Sequence, residues 1–184
     1  MLSKAQTVGF LTLAICGAIF AKPTESVKLE ESAIVDEFMQ AAIDEAKKGL
    51  ASGGIPIGSV LVYEGKIIGR GHNQRMQKGS AIHHGEMNCL ENAGRLAPEI
   101  YQNATLYTTL SPCPMCSGAI RLYKISKVII AENETFMGDE ELLRRSGVSL
   151  TVINNETCKK LMRTFIADHP EEWNEDIGVN DKID

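Results

Sequence analysis

Apolar residues recur at helical spacing through Ile34, Val35, Phe38, Met39, Ala42, Ile43 and Ala46, which places them on one stripe. Ser32 is a plausible N-cap, and Gly49 with the Gly53-Gly54 pair stops the run, so a helix is expected over 32–49. The period then changes. Residues 59–63 and 66–69 are β-rich runs entered after Pro56, and Glu64-Gly65 between them reads as a tight hairpin turn. Residues 70–80 lack an apolar period and read as a loop reaching out from the second strand. Helices over 84–95 and 112–123, strands over 105–109, 127–131 and 148–153, a short helical piece over 140–145 and a last helix over 156–167 follow. Residues 170–178 read as an acidic tail holding the single tryptophan, Trp173. Strands alternating with helices predict an α/β domain, three layers (α/β/α) about a central mixed five-stranded sheet.

The start of the chain follows a different pattern. Lys4 precedes an apolar run over 8–20 that ends at Ala21 and gives way to Lys22-Pro23-Thr24-Glu25, the grammar of a signal peptide. The run is shorter than the roughly 20 apolar residues of a comfortable membrane span. Residues 1–21 are therefore expected to be a signal peptide or an N-terminal extension, 22–31 a linker and 32–184 one domain. Contact with a membrane is expected only if the apolar segment is an uncleaved anchor.

Composition narrows the class. With 184 residues, 43% hydrophobic and 23% charged, the chain suits one globular domain with a substantial core. Its net charge of -5 argues against nucleic acid as a partner and for a small substrate. Of five cysteines, Cys16 lies in the leader and Cys89 and Cys158 read as small buried hydrophobes. A C-x-x-C pair kept for metal fits a reducing compartment, so a cytoplasmic location is expected. The alternative is the secretory pathway through the 1–21 leader, where Asn103, Asn133 and Asn155 would be glycosylation acceptors.

The chemistry gathers at His84-Gly85-Glu86 and at Pro112-Cys113-Pro114-Met115-Cys116. One imidazole and two thiolates are three donors for a tetrahedral zinc ion, and a missing fourth donor is the mark of a catalytic site. Glu86 follows the histidine closely enough to move protons at that fourth position. Both ligand groups are expected at helix N-termini, where unpaired N–H groups and the helix dipole favour thiolates. A purely structural zinc site would need a fourth ligand from His83 or His72, which read as loop and packing residues. Read without further context, Asn73 is a turn former, Ser111 a helix cap or a site residue, and Phe136 a core residue. Trp173 and Asp176 would then be part of an anchored tail.

The H-x-E and P-C-x-x-C pair is the signature of zinc deaminases that act on bases. Residues from about 32 to 178 resemble the fungal cytosine deaminases of the cytidine deaminase-like superfamily. Besides the zinc motif, the resemblance rests on Gly54-Ile-Pro-Ile-Gly58, Gly69-Arg-Gly-His-Asn73, Gln77-Lys-Gly-Ser80, Leu90-Glu-Asn92, Tyr107-Thr-Thr-Leu-Ser-Pro-Cys113, Cys158-Lys-Lys160 and Glu175-Asp-Ile-Gly178. Two positions depart from the family pattern. Asn174 stands where an aromatic residue usually follows the tryptophan, and His83 where an apolar residue usually precedes the zinc histidine.

The resemblance implies one Zn2+ per subunit held by His84, Cys113 and Cys116, with Glu86 as the catalytic proton shuttle. It also implies that Asn73 and the Gly85 N–H hold the pyrimidine O2, that Asp176 accepts from ring N1–H, and that Ser111 lies beside the reacting carbon. Phe136 and Trp173 would wall the ring. The implied activity is hydrolytic deamination of cytosine to uracil and ammonia in pyrimidine salvage, with zinc-activated water attacking C4 and the protein a homodimer. The alternatives are a deaminase of cytidine, deoxycytidylate, guanine or tRNA adenosine, or a catalytically silent zinc-binding interaction domain.

Overall fold

The hairpin at Glu64-Gly65 joins β1 (Gly58–Tyr63) to β2 (Lys66–His72). Both turn residues have positive φ, 48° and 70°, the two-residue geometry whose twist matches that of the flanking strands. β3 (Thr105–Leu110) pairs antiparallel with β1 on its other side, and β4 (Lys127–Glu132) and β5 (Ser149–Val152) continue in parallel. The order β2-β1-β3-β4-β5 makes the mixed five-stranded sheet that the sequence predicts. These elements come from a computed structural model that describes residues 25–179, with side chains from Glu37 onward. The apolar leader and residues 22–24 of the expected linker lie outside the described residues.

The strands alternate strictly between two faces. Val60, Val62, Tyr107, Ile129 and Ala131 point to one side, beneath Phe38, Met39, Ala42 and Ile43 of α1 (Glu25–Ala51) and Cys158 of α7 (Glu156–Asp168). Leu61, Leu106, Val128 and Ile130 point to the other, covered by α3 (Gly85–Ala93), α4 (Pro98–Gln102), α5 (Pro114–Leu122) and α6 (Glu140–Arg145). A period of two on each central strand therefore dictates a helical layer on each face.

The structure departs from the sequence pattern in five places. α1 begins at Glu25 and not at Ser32, so residues 25–31 of the expected linker are helical. They carry Glu, Lys and Leu and no Gly or Pro, and favourable propensity carries the helix past the apolar stripe. β2 runs on to His72, so the expected loop is shorter and itself holds α2 (Arg75–Lys78). The edge groups of that added strand are satisfied by α3: Asn92 Nδ2 donates to Arg70 O at 2.7 Å, and His72 N donates to Asn88 Oδ1 at 3.2 Å. α4 and α8 (Pro170–Asp176) interrupt stretches with no apolar period, and each starts on a proline, which fits the first turn of a helix. Trp173 of α8 is buried against Ile55, Ile57, Leu110, Met162 and Phe165, so the acidic tail is a packed element.

All three possible glycosylation asparagines make internal hydrogen bonds, Asn103 Nδ2 donating to Glu99 O at 2.8 Å. Asn155 caps α7, its Oδ1 accepting from Cys158 N at 3.0 Å, and Asn133 Nδ2 donates to Glu140 Oε1 at 2.9 Å. No helix among the described residues is long and apolar enough to cross a membrane.

The seating of α3 on β2 depends on Gly71. A Cβ there would lie 2.2 Å from Cys89 N and 2.6 Å from Asn88 C, both backbone atoms of α3. Gly71→Ala is therefore expected to lift α3 and lower stability by roughly 2–4 kcal/mol. Urea denaturation of the two proteins measures the difference.

Candidate metal centre and active site

Two helices start at the same point. His84 is the N-cap of α3 and Cys113 the N-cap of α5, and Cys116 lies in the first turn of α5. Their donor atoms all lie within 4.8 Å of one another, and they are the single such group of three among the described residues. His84 Nδ1 and Cys113 Sγ are 3.5 Å apart. Tetrahedral zinc with ordinary Zn–N and Zn–S bonds sets such a pair at about 3.6 Å, so the donors fit the ion. Neither His83 nor His72 supplies a fourth ligand: His83 pairs with Glu91 at 3.5 Å and His72 with Glu45 at 3.0 Å.

The charges around this point suit a cation. The Cys116 hydrogen bond pulls the Cys113 thiol down to about 4, although burial opposes it. The same bond, with burial, pushes Cys116 well up. Burial pulls the His84 pKa down, but Cys113, Asp176 and Glu86 outweigh it and leave it raised. The other ring nitrogen, Nε2, faces Asp176 Oδ1 at 3.5 Å, the placement that orients a histidine for metal.

Glu86, one position beyond Gly85 in α3, is buried beside the donors. Its Oε1 accepts from Thr108 Oγ1 at 3.0 Å, and Thr108 in turn accepts from Ser59 Oγ at 3.0 Å. Oε2 lies on the thiol side, 3.4 Å from Cys116 Sγ. Burial pushes the carboxyl pKa up, and the negative Cys113 adds to the rise. A carboxyl held rigidly by one oxygen, with a raised pKa, is suited to taking and returning a proton through the other.

A small cavity opens beside the donors. Glu86, Ser111, Phe136, Trp173 and Asp176 line it, and Ile57, Leu110 and Ile177 complete its apolar walls. Phe136 and Trp173 meet edge to face, ring centres 5.9 Å apart. Four larger surface clefts lie elsewhere, with none of the metal donors in their linings.

Asn73 and Gly85 do not line the cavity. Asn73 is fully buried; its Nδ2 donates to Asp176 Oδ1 at 3.1 Å, and its Oδ1 accepts from Arg75 N at 3.0 Å. Gly85 is the first residue of α3, packed on Ile57. Ser111 donates its hydroxyl to Glu140 Oε1 at 3.0 Å and accepts from Gly138 N at 3.1 Å.

Sequence reasoning missed four groups here. Thr108 anchors Glu86, and buried Arg75 reaches Asp176 Oδ1 at 3.1 Å and Glu175 Oε1 at 3.4 Å. Buried Glu140 holds Ser111, and Ile57 and Leu110 wall the cavity. Thr108 and Thr109 left a trace, being adjacent polar residues in the buried part of a central strand. Arg75 and Glu140 left none, because an arginine or a glutamate in a short polar stretch reads as solvated.

A family model described as the cytidine and deoxycytidylate deaminase zinc-binding region matches residues 33–132. The cytosine deaminase of Candida albicans is 52% identical over 141 residues, 76% of this chain and 94% of that protein. The tRNA-specific adenosine deaminase of Bacillus subtilis is 46% identical over 141 residues, 71% of this chain and 88% of that protein. A solved tRNA:A34 deaminase structure superposes with a TM-score of 0.60 at 25% identity, covering 68% of this chain and 99% of its own. The fold, the donor set and these relatives agree, and the chain belongs to the cytidine and deoxycytidylate deaminase zinc-binding family.

Proposed function

We propose that this protein deaminates free cytosine hydrolytically, giving uracil and ammonia as a step of pyrimidine salvage. The observation that carries the reading is Asp176 at the wall of the cavity that adjoins the metal donors and Glu86, in a chain 52% identical to a cytosine deaminase. His84, Cys113 and Cys116 would hold one zinc ion, whose Lewis acidity makes water nucleophilic near neutral pH. Glu86 Oε2 takes a proton from that water as its oxygen bonds to C4, and delivers the proton to N3. A second transfer through the same oxygen carries the proton left on the added hydroxyl to the amine, as the C4–N bond breaks, the C4 carbonyl forms and ammonia leaves. Thr108 holds Oε1 throughout, so the shuttle keeps its aim.

Specificity for the free base rests on Asp176. Its described contacts, from Asn73, Arg75 and His84, all fall on Oδ1. Oδ2 is left to accept from ring N1–H, a hydrogen that exists only when no ribose is attached. Ser111 would lie at the reacting edge and Phe136 and Trp173 would wall the ring, while Asn73 and the Gly85 N–H, which do not line the cavity, would reach O2 through a shift on binding. The tRNA-specific relatives favour a polynucleotide substrate as a second reading, which the net charge of -5 and the small cavity oppose.

The direct test is ammonia release from cytosine, run beside cytidine and an adenosine-containing anticodon stem-loop. Turnover of cytosine alone is expected; inosine formation in the RNA without uracil formation from cytosine rejects the reading. Glu86→Ala is expected to keep its zinc, measured by atomic absorption, while turnover falls by at least about 10³-fold. Loss of zinc together with unfolding would make Glu86 structural instead. In Asp176→Asn an N–H replaces the free acceptor, so KM for cytosine is expected to rise about tenfold or more. Equal wild-type turnover of cytosine and cytidine would remove Asp176 from the specificity argument.

A homodimer completes the proposal. Leu122 and Tyr123, at the end of α5, leave 73% and 43% of their surfaces exposed, apolar area that a second copy would cover. Light scattering of the purified chain is expected to return twice the monomer mass, and a monomer at micromolar concentration rejects this part.

A further inference from the structure

We propose that Glu140 is a positioning residue whose carboxylate clamps the Ser111 segment to the loop carrying Phe136, and so sets the aromatic wall of the cavity. The inference rests on the reading of that cavity as the substrate pocket.

Glu140 opens α6, outside the cavity, with only 3% of its surface exposed. A carboxylate so deeply placed needs partners, and it has three from three segments. Its Oε1 accepts from Ser111 Oγ at 3.0 Å, on the segment leading to the zinc-ligand cysteines, and from Asn133 Nδ2 at 2.9 Å, where the Phe136 loop begins. Its Oε2 faces Arg144 at 3.1 Å, one turn along α6 and half exposed.

The far end of the loop docks on the same segment. Gly138 N donates to Ser111 Oγ at 3.1 Å, and Asp139 N donates to Pro112 O at 3.0 Å. No side chain fits between them, because a Cβ on Gly138 would lie 2.0 Å from Pro112 O. Phe136 thus sits between two attachments, Asn133 and Gly138, that meet on Glu140 directly and through Ser111. Glu132 holds the neighbouring turn, accepting from Glu134 N at 2.7 Å and Thr135 N at 3.0 Å, but it reaches neither Ser111 nor Pro112 by any described bond. Two of the loop's ties to the metal-ligand segment run directly to Ser111 and Pro112, and the tie at its start, through Asn133, runs by way of Glu140, which also fixes the Ser111 hydroxyl that receives Gly138.

Removing the carboxylate strands Ser111 Oγ and Asn133 Nδ2 without their acceptor, and the loop relaxes to find others. Phe136 then leaves its edge-to-face contact with Trp173. Glu140→Gln keeps an acceptor oxygen for both donors and loses only the ion pair to half-exposed Arg144. The conservative variant should therefore rescue the wall.

Trp173 is the single tryptophan and touches Phe136, so its fluorescence reports the wall without substrate. The experiment measures acrylamide quenching of Trp173 and steady-state kinetics on cytosine in the zinc-loaded wild type, Glu140→Ala, Glu140→Gln, Phe136→Ala and the Phe136→Ala/Glu140→Ala pair. Glu140→Ala is expected to raise the quenching constant about twofold and KM about tenfold, with kcat changed less than about threefold. Glu140→Gln should stay near wild type in all three. The KM effect of Glu140→Ala should vanish in the Phe136→Ala background, since one acts through the other. Folded Glu140→Ala with wild-type quenching and KM, or additive KM effects in the pair, overturns the proposal. If Glu140→Ala does not fold, Asn133→Ala cuts the loop-side arm alone, and an unchanged quenching constant there overturns it equally. Quenching shifts as expected in a protein inert toward cytosine would reject the cytosine reading and leave the clamp standing.

Discussion

Two helix N-termini meeting at one point is the constraint that the rest of the site obeys. Each helix leaves N–H groups unpaired at its start, and the caps of α3 and α5 aim one imidazole and two sulfurs at a common centre within 4.8 Å. That convergence has a price in backbone geometry, because α3 can lie where it does only if β2 carries no side chain at position 71. It also orders the sheet, since β1 and β3 bring Ser59 and Thr108 beneath Glu86. The donor cluster, the glycine in β2 and the hydroxyls on two strands form one mechanical unit.

Three buried carboxylates surround that unit, and their partners separate their roles. Glu86 has a hydroxyl on one oxygen and the Cys116 thiol beside the other, and burial together with the negative Cys113 raises its pKa. Asp176 gathers its amide, guanidinium and imidazole contacts on one oxygen, which holds the carboxylate in place and leaves the other oxygen outside the described bonds. Glu140 is surrounded by donors from two loops and its own helix and stands outside the cavity, so its chemistry is mechanical. Residue type is identical or nearly so in all three cases; environment decides what each one does.

α8 closes the site from the far end of the chain. Trp173 enters the apolar cluster around Ile57 and Leu110, and Asp176 on the same helix reaches the histidine that caps α3. Arg75, from α2, ties this helix to the segment after β2 through Asp176 and Glu175. The cavity therefore lies between elements about a hundred residues apart in sequence, and its width is limited by how closely α8 packs.

The sequence by itself determined the mixed sheet, the helical cover on both faces, the zinc donors and Glu86. These follow from local rules: period two on the strands, the 3.6-residue stripe, proline and N-cap positions, and metal-ligand spacing. The hairpin was legible at Glu64-Gly65 for the same reason. Tertiary structure alone decided that β2 continues to His72, because its edge groups find Asn88 and Asn92 from α3 and not a neighbouring strand. It alone decided that the acidic tail is a packed helix, and that Arg75 and Glu140 are buried. A charged residue carries no local sign of the partner that will neutralise it, and those partners lie on other segments of the chain.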